Sequence, residues 1–186
     1  MEMLLGVFSA FGLSASAGLN AYIPLLVVGV IGHYFPNTLT LNPPWDLIAN
    51  PWILILLGIL VIIEMLADKV PAVNHINDLI QTFVRPAAGA IAFAASAKVL
   101  TNVHPVFALA CGLLVAGSVH VVKSVAVRPV VTATTGGVGN IPVSIAEDVA
   151  ATGVSILALV LPIMMGTLLI VFFVLLAWWL AQRARR

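Results

Sequence analysis

Between two long apolar runs lies the stretch from Lys123 to Asp148, KSVAVRPVVTATTGGVGNIPVSIAED. It carries two cations, two adjacent carboxylates, three threonines, three glycines and two prolines. Most of the remaining chain is lipid-like: hydrophobic residues make up 62% of 186 and charged residues 8%, against about 25% charged in an average soluble domain. Polar backbone and charged side chains are costly near a bilayer unless something satisfies them. The stretch therefore reads as the lining of a polar site in a polytopic membrane protein. Residues 1–186 read as a single integral membrane domain with no room for a soluble one. The one cysteine, Cys111, lies in an apolar run and reads as a small packing residue.

Charge placement gives the expected orientation. Residues 3–35 are almost continuously apolar, and as one helix would run roughly 50 Å, beyond a hydrocarbon core of about 30 Å. The punctuation at Gly18-Leu19-Asn20, with Pro24 following, predicts two short helices over 3–16 and 20–34. Glu2 is the only charge near the start, so a cleaved signal peptide is not expected. Residues 35–50 hold three prolines and no cation, which reads as an outer loop. A spanning helix is expected over 51–67, opened by Pro51. After Pro71, the apolar residues Val73, Ile76, Leu79, Ile80, Phe83 and Val84 recur at helical spacing among polar ones, as in an amphipathic interfacial helix. Lys69 and Arg85 place it on the cytoplasmic side. Residues 86–100 are small and apolar, suited to packing against other helices. A short outer turn over 101–104 and a span over 105–122 follow. The run 145–181 is too long for one crossing, and Pro162 and Gly166 split it into helices near 143–161 and 163–181. Trp178 and Trp179 followed by Arg183, Arg185 and Arg186 mark a cytoplasmic exit.

Two faint internal echoes are present. At an offset of 54, Pro51 aligns with Pro105, Gly58 with Gly112, Leu60 with Leu114 and Lys69 with Lys123. Gly18-Leu19-Asn20 with Ile23-Pro24 also echoes Gly139-Asn140-Ile141-Pro142. Gly/Pro-interrupted segments in corresponding positions point to a transporter site. The motifs GLNAYIPLL (18–26), LADKVP (66–71), NDLIQTFVRPAAGA (77–90) and GNIPVSIAEDV (139–149) resemble a family of uncharacterised bacterial integral membrane proteins, domain of unknown function four-one-two-six. The resemblance covers nearly the whole chain and implies a small inner-membrane protein. It brings no activity, substrate or catalytic residue with it.

The chemistry must therefore come from residues. Ser144-Ile145-Ala146-Glu147 fits a capping box, which accounts for Glu147 as a helix cap, and the helix dipole gives Asp148 a similar role. Alternatively, one carboxylate faces a water-filled cavity and binds a cation or proton. Arg85 and Arg128 each precede a proline and read either as cytoplasmic anchors or as buried partners of Glu147 or Asp148. The glycine-rich segment 132–140 lacks the ending of a nucleotide loop. No histidine pair has metal-ligand spacing, and no Ser/His/Asp nucleophile arrangement is evident. No metal, cofactor or nucleic-acid partner is expected.

The resulting expectation is an all-α polytopic bundle of six or seven short or broken transmembrane helices, a cytoplasmic amphipathic helix and a weak internal repeat. It is a multi-pass inner (plasma) membrane protein with a cytoplasmic C-terminus. The leading function is a small transporter or channel for an ion or small polar solute. Asn20, Arg128, Asn140, Glu147 and Asp148 would bind the ligand between the 18–24 and 135–148 breaks. Asp68, Asp78, Arg85, His120 and Lys123 are secondary candidates. The alternative is a structural or assembly protein whose polar groups are paired internally. A lipid-directed membrane enzyme ranks third. The bilayer, a small solute and a second copy of the chain are the partners this pattern allows.

Overall fold

A computed structural model describes residues 2–69, 71–96, 104–162, 164, 167, 170, 171, 174, 175, 178 and 182; the side chains of 2–4, 71–76 and 78 are outside that description. The architecture is all-α, and no strand occurs among the described residues. In chain order it consists of α1 (Glu2–Leu19), α2 (Tyr22–Tyr34), a 3-10 turn (Trp45–Ala49), α3 (Pro51–Ala67) and α4 (Pro71–Ser96), then α5 (Pro105–Val121), a π turn (Val122–Val127), α6 (Arg128–Thr135) and α7 (Asn140–Val160).

The first apolar run breaks where its polar residue lies. Asn20 turns its Oδ1 onto the amides of Tyr22 (3.2 Å) and Ile23 (3.1 Å), supplying the acceptor that the first turn of α2 lacks. Pro24 follows within that first turn, where its missing N–H costs nothing. The start of α3 and that of α5 are built alike. Asn50 and His104 each accept the amide two residues on, Pro51 and Pro105 take the first helical position, and each helix is 17 residues long. The echo at offset 54 is thus visible as two matched helices leading to Lys69 and Lys123.

The sequence expectation differs from the structure in three places. The amphipathic segment and the small-residue segment are one helix, α4, which runs through Pro86. A proline usually ends a helix, but the Pro86 ring lies against Gly117 of α5, and packing of this kind lets an interrupted helix continue. The polar stretch after Lys123 is mostly helical, since the π turn carries α5 into α6 and the chain leaves helix only at 136–139. Gly136 and Gly137 have φ of 64° and 92° there, a conformation open to glycine. The segment 35–50 is partly ordered on α2, with the carbonyl of Ile48 and the side chain of Leu41 filling the space left by Gly29 and Gly32. At the other end, α7 stops at Leu161, and the described positions 162, 164, 167, 170, 171, 174, 175, 178 and 182 are helical, in line with the expected split near Pro162. Positions 101–103 of the expected 101–104 turn and the terminal arginines lie outside the described residues.

Side-chain contacts set the packing directions. Ser9 donates to the carbonyl of Ala158, Ser16 to that of Ala151, and Asn20 to Asp148, so α1 and α7 run antiparallel. Ser14 donates to the carbonyl of Gly89 while Phe11 meets Phe93 edge-on, so α1 and α4 are antiparallel as well. Gly89 faces Ala116 and Gly112, and Arg85 faces His120, which sets α4 against α5 in the same sense. The interior is rich in small residues, including Ala10, Ala17, Ala88, Ala92, Ala116, Ala151 and Ala158, beside larger ones such as Leu13, Val28 and Phe93, with serines bridging the helices. The outside is large and apolar, with Trp52, Ile55, Ile59, Ile62 and Leu66 exposed along α3. Small inside and large outside suits a bilayer, where close backbone approach drives helix association. Three helical stretches, 79–96, 105–135 and 140–160, are long and apolar enough to cross a membrane, and 5–19, 22–34 and 51–67 are shorter apolar helices. This is the composition of a membrane protein.

The α4–α5 contact depends on Gly112. A Cβ there would come within 2.6 Å of the Phe93 Cβ and 2.7 Å of the Ala90 Cα. Gly112→Ala is therefore expected to destabilise the protein by about 1–3 kcal/mol through overpacking. Gly153 has nothing within 4 Å of its Cβ position, so Gly153→Ala should be neutral or stabilising by up to about 1 kcal/mol. Thermal unfolding of both variants in detergent checks the contrast; equal losses would contradict the packing.

Candidate functional site

A buried charge network gathers where the α1–α2 break, the end of α3, the middle of α4, the end of α5 and the second and third turns of α7 meet. Each element brings a polar residue there for a local reason. Glu64 and Asp68 are four apart and share a face of α3, as their spacing predicts. Both are buried. Lys123 and Arg128 are five apart, which in a regular α-helix would separate them by about 140°. The π turn between them removes that separation, because its wider ring stacks residues five apart. Pro129 gives the turn a cause, since its ring lacks an N–H and crowds the carbonyl four residues back.

The break in the first hairpin is held from both sides. The carbonyl of Leu19, at the end of α1, accepts from Lys123 Nζ at 3.0 Å. The amide of Ala21, leading into α2, donates to Glu64 Oε2 at 3.1 Å and Oε1 at 3.3 Å. A cation at a helix C-terminus and a carboxylate at a helix N-terminus are both favoured by the helix dipole. Glu64 is also gripped by Arg85, whose Nη2 and Nε lie 2.9 and 3.2 Å from Oε1, and both side chains are wholly buried.

From that pair the network extends outward. Arg85 Nη1 lies 3.2 Å from His120 Nδ1. Arginine has donors only, so Nδ1 accepts and the ring proton sits on Nε2, which donates to Thr82 Oγ1 at 3.2 Å. Arg128 Nη2 donates to Asp68 Oδ2 at 3.0 Å, and Asn77 Nδ2 donates to Asp68 Oδ1 at 2.7 Å. Lys123 Nζ is 2.7 Å from Glu147 Oε2, while Arg128 is 3.8 Å from it. Asp148 takes Asn20 Nδ2 at 3.0 Å on one oxygen and Lys69 Nζ at 3.4 Å on the other. Four carboxylates (Glu64, Asp68, Glu147, Asp148) thus face four cations (Lys69, Arg85, Lys123, Arg128). Lys69 is the most exposed of these side chains, at 25%.

Among the residues singled out from sequence, Asn20, Asp68, Arg85, His120, Lys123, Arg128, Glu147 and Asp148 come together here. Asn140 does not: it opens α7 and donates to Thr132 Oγ1 at 2.8 Å, away from the network. The Asp78 side chain lies outside the described residues. The capping box is not formed, because α7 begins at Asn140, its cap Gly139 makes no side-chain bond, and Ser144 instead points its hydroxyl at Asp68 Oδ2, 3.5 Å away. Glu147 and Asp148 therefore sit past the first turn of α7, beyond the reach of a cap. Among the described side chains, Arg128 is closer to Asp68, at 3.0 Å, than to Glu147, at 3.8 Å. Glu64, Lys69 and Thr82 join the network although they are not among the candidates read from the sequence. Glu64 carried a signal, as a single carboxylate inside the apolar run of α3.

If the Glu64–Arg85 pair is a buried unit, removing either partner strands the other. Glu64→Ala and Arg85→Ala are each expected to cost on the order of 3–5 kcal/mol, and the double variant less than the sum. A double-mutant cycle on unfolding in detergent measures this, and additive losses would mean the two groups are independently solvated.

The sequence profile described as Domain of unknown function (DUF4126) matches residues 7–183. No curated protein and no solved structure matches the chain. With the profile spanning almost the full length, the chain belongs to the DUF4126 family.

Proposed function

We propose that this protein is a small membrane transporter for an ion or small polar solute, working at the charge network around the α1–α2 break. One observation carries the reading: a broken helix has its free carbonyl on Lys123 and its free amide on Glu64, within a largely buried set that holds four acids and four bases among the described residues. A bundle held only by packing has no need of such a set, because buried ion pairs rarely stabilise more than apolar residues of the same volume. Intramembrane ionisable groups beside discontinuous helices characterise sites that exchange ions or protons. Asp148 and Lys69 form the most exposed pair and are the natural point of entry. The competing reading is a structural or assembly protein. It is favoured by the pairing itself, since each of the four carboxylates already faces a cation.

Asp148→Asn keeps an acceptor for Asn20 but removes the charge that faces Lys69. It is expected to give a normally inserted protein that no longer moves solute in reconstituted vesicles, screened for cations, anions and proton flux. A wild-type protein that moves nothing in that screen would favour the structural reading. A wild-type flux retained in full by Asp148→Asn would move the site elsewhere.

The proposed setting is a bacterial inner membrane, crossed several times, with segment 35–50 outside and the network end and C-terminus inside. Cation placement supports it, as 35–50 has none while Lys69, Arg85, Lys123 and Arg128 gather at the other end of α2. Asn42 and Val138 are both exposed. In a Cys111→Ala background, an impermeant thiol reagent on intact cells should label Asn42→Cys and spare Val138→Cys. The reverse pattern would invert the orientation.

A further inference from the structure

Beyond the charge network the chain builds a hairpin that carries no charge. Residues 129–146 contain no Asp, Glu, Lys, Arg or His. They form most of α6, the glycine turn and the first two turns of α7. A water-exposed loop at the cation-bearing end of a membrane protein usually has Lys or Arg of its own. α6 packs chiefly on the π turn before it and on α7 after it, so the rest of the bundle covers little of it. Val130, Val138, Ile141 and Ile145 are exposed on the hairpin.

The polar groups of this hairpin are turned on one another. Thr134 Oγ1 donates to the carbonyl of Val130 at 2.8 Å, and Thr135 Oγ1 to that of Val131 at 2.6 Å. Thr135 Oγ1 also accepts the amide of Gly139 at 3.0 Å, and Asn140 Nδ2 donates to Thr132 Oγ1 at 2.8 Å. The amide of Asn140 closes the turn on the carbonyl of Gly137 at 3.2 Å. One atom of the turn, Asn140 Oδ1, is buried with no hydrogen-bond partner among the described residues. Water would satisfy hydroxyls and amides from outside, whereas lipid requires that they be satisfied internally. The exposed residues also continue the apolar surface of the spanning helices. Val125 on the π turn leads to Val130, and Val149 on α7 leads back to Ile145 and Ile141. Both 105–135 and 140–160 are apolar enough to cross a membrane. At about 1.5 Å per residue, the 21 residues of α7 span about 31 Å, close to a hydrocarbon core of about 30 Å.

We propose that the α6–α7 hairpin is immersed in the leaflet at the network end, with lipid acyl chains as its partner and the turn at 136–139 among the headgroups. Irregular backbone belongs at that level, because hydrocarbon tolerates only regular helix on a lipid-facing surface. The charge network then lies within the bilayer, about 12 Å below the headgroup boundary along the eight residues from Asn140 to Asp148. The inference requires a membrane and does not require transport.

The test places an environment-sensitive fluorophore on single cysteines in the Cys111→Ala background, at Val130→Cys and Ile145→Cys. Ile156→Cys, exposed on the spanning part of α7, is the lipid reference, and Asn42→Cys, exposed in segment 35–50, is the aqueous one. Purified variants are reconstituted into phosphatidylcholine vesicles with either a nitroxide on the acyl chains or iodide on both sides. Val130→Cys and Ile145→Cys are expected to lose as much fluorescence to the nitroxide as Ile156→Cys, and far less to iodide than Asn42→Cys. Loss to iodide at the level of Asn42→Cys places the hairpin in water and overturns the proposal. Protection from both quenchers means that protein, such as a second copy of the chain, covers the hairpin, and overturns it as well. If Ile145→Cys does not reconstitute, Ile141→Cys reports on the same face, one turn away. Solute flux in matched vesicles tests the transport reading separately. Lipid quenching without flux keeps the immersed hairpin and removes transport, whereas flux with iodide quenching does the reverse.

Discussion

A break in a helix exposes backbone groups that lipid cannot satisfy, and the charge network is organised around that need. At Asn20 the chain leaves a carbonyl at Leu19 and an amide at Ala21 without regular helical partners, and Lys123 and Glu64 answer them with charges of the appropriate sign. Neither charge could stay alone in an apolar interior, so each draws in a counter-charge: Glu147 for Lys123 and Arg85 for Glu64. Arg85 then turns toward His120, and Arg128 is anchored on Asp68.

That chain of requirements shapes the helices as well as the side chains. The π turn at Val122–Val127 brings Lys123 and Arg128 to one face. Gly89 and Gly112 let α4 and α5 approach closely enough for Arg85 to reach His120. The serine contacts along α1 hold α7 in the register that delivers Asp148 to Asn20. Small residues, interhelical hydroxyls and ion pairs act together because apolar side chains gain little from leaving lipid for a protein interior.

Much of this was legible from residue types. The split at Gly18-Leu19-Asn20, the helix opened by Pro51 and the break near Pro162 followed from punctuation in apolar sequence. The shared face of Glu64 and Asp68 followed from helical spacing. The continuity of α4 through Pro86 was not legible, since a proline's effect depends on what packs against it. The capping-box reading of Ser144 and Glu147 failed for a related reason: a cap is defined by where the helix starts, and α7 starts one turn earlier, at Asn140. Motif likeness groups Asn140 with Asn20, although the fold gives its amide to Thr132.

The sequence by itself determined that the chain is an all-α membrane protein with a polar interior, because composition fixes the solvent and punctuation fixes the helix ends. It also determined which residues are too costly to leave unpaired in that solvent. Tertiary structure alone decided the pairings. Asp68 lies 60 positions from Arg128, and Asn20 lies 128 positions from Asp148. No local rule of spacing or propensity reaches across such separations. Only helix directions, the close glycine contact and the π turn choose which cation meets which carboxylate.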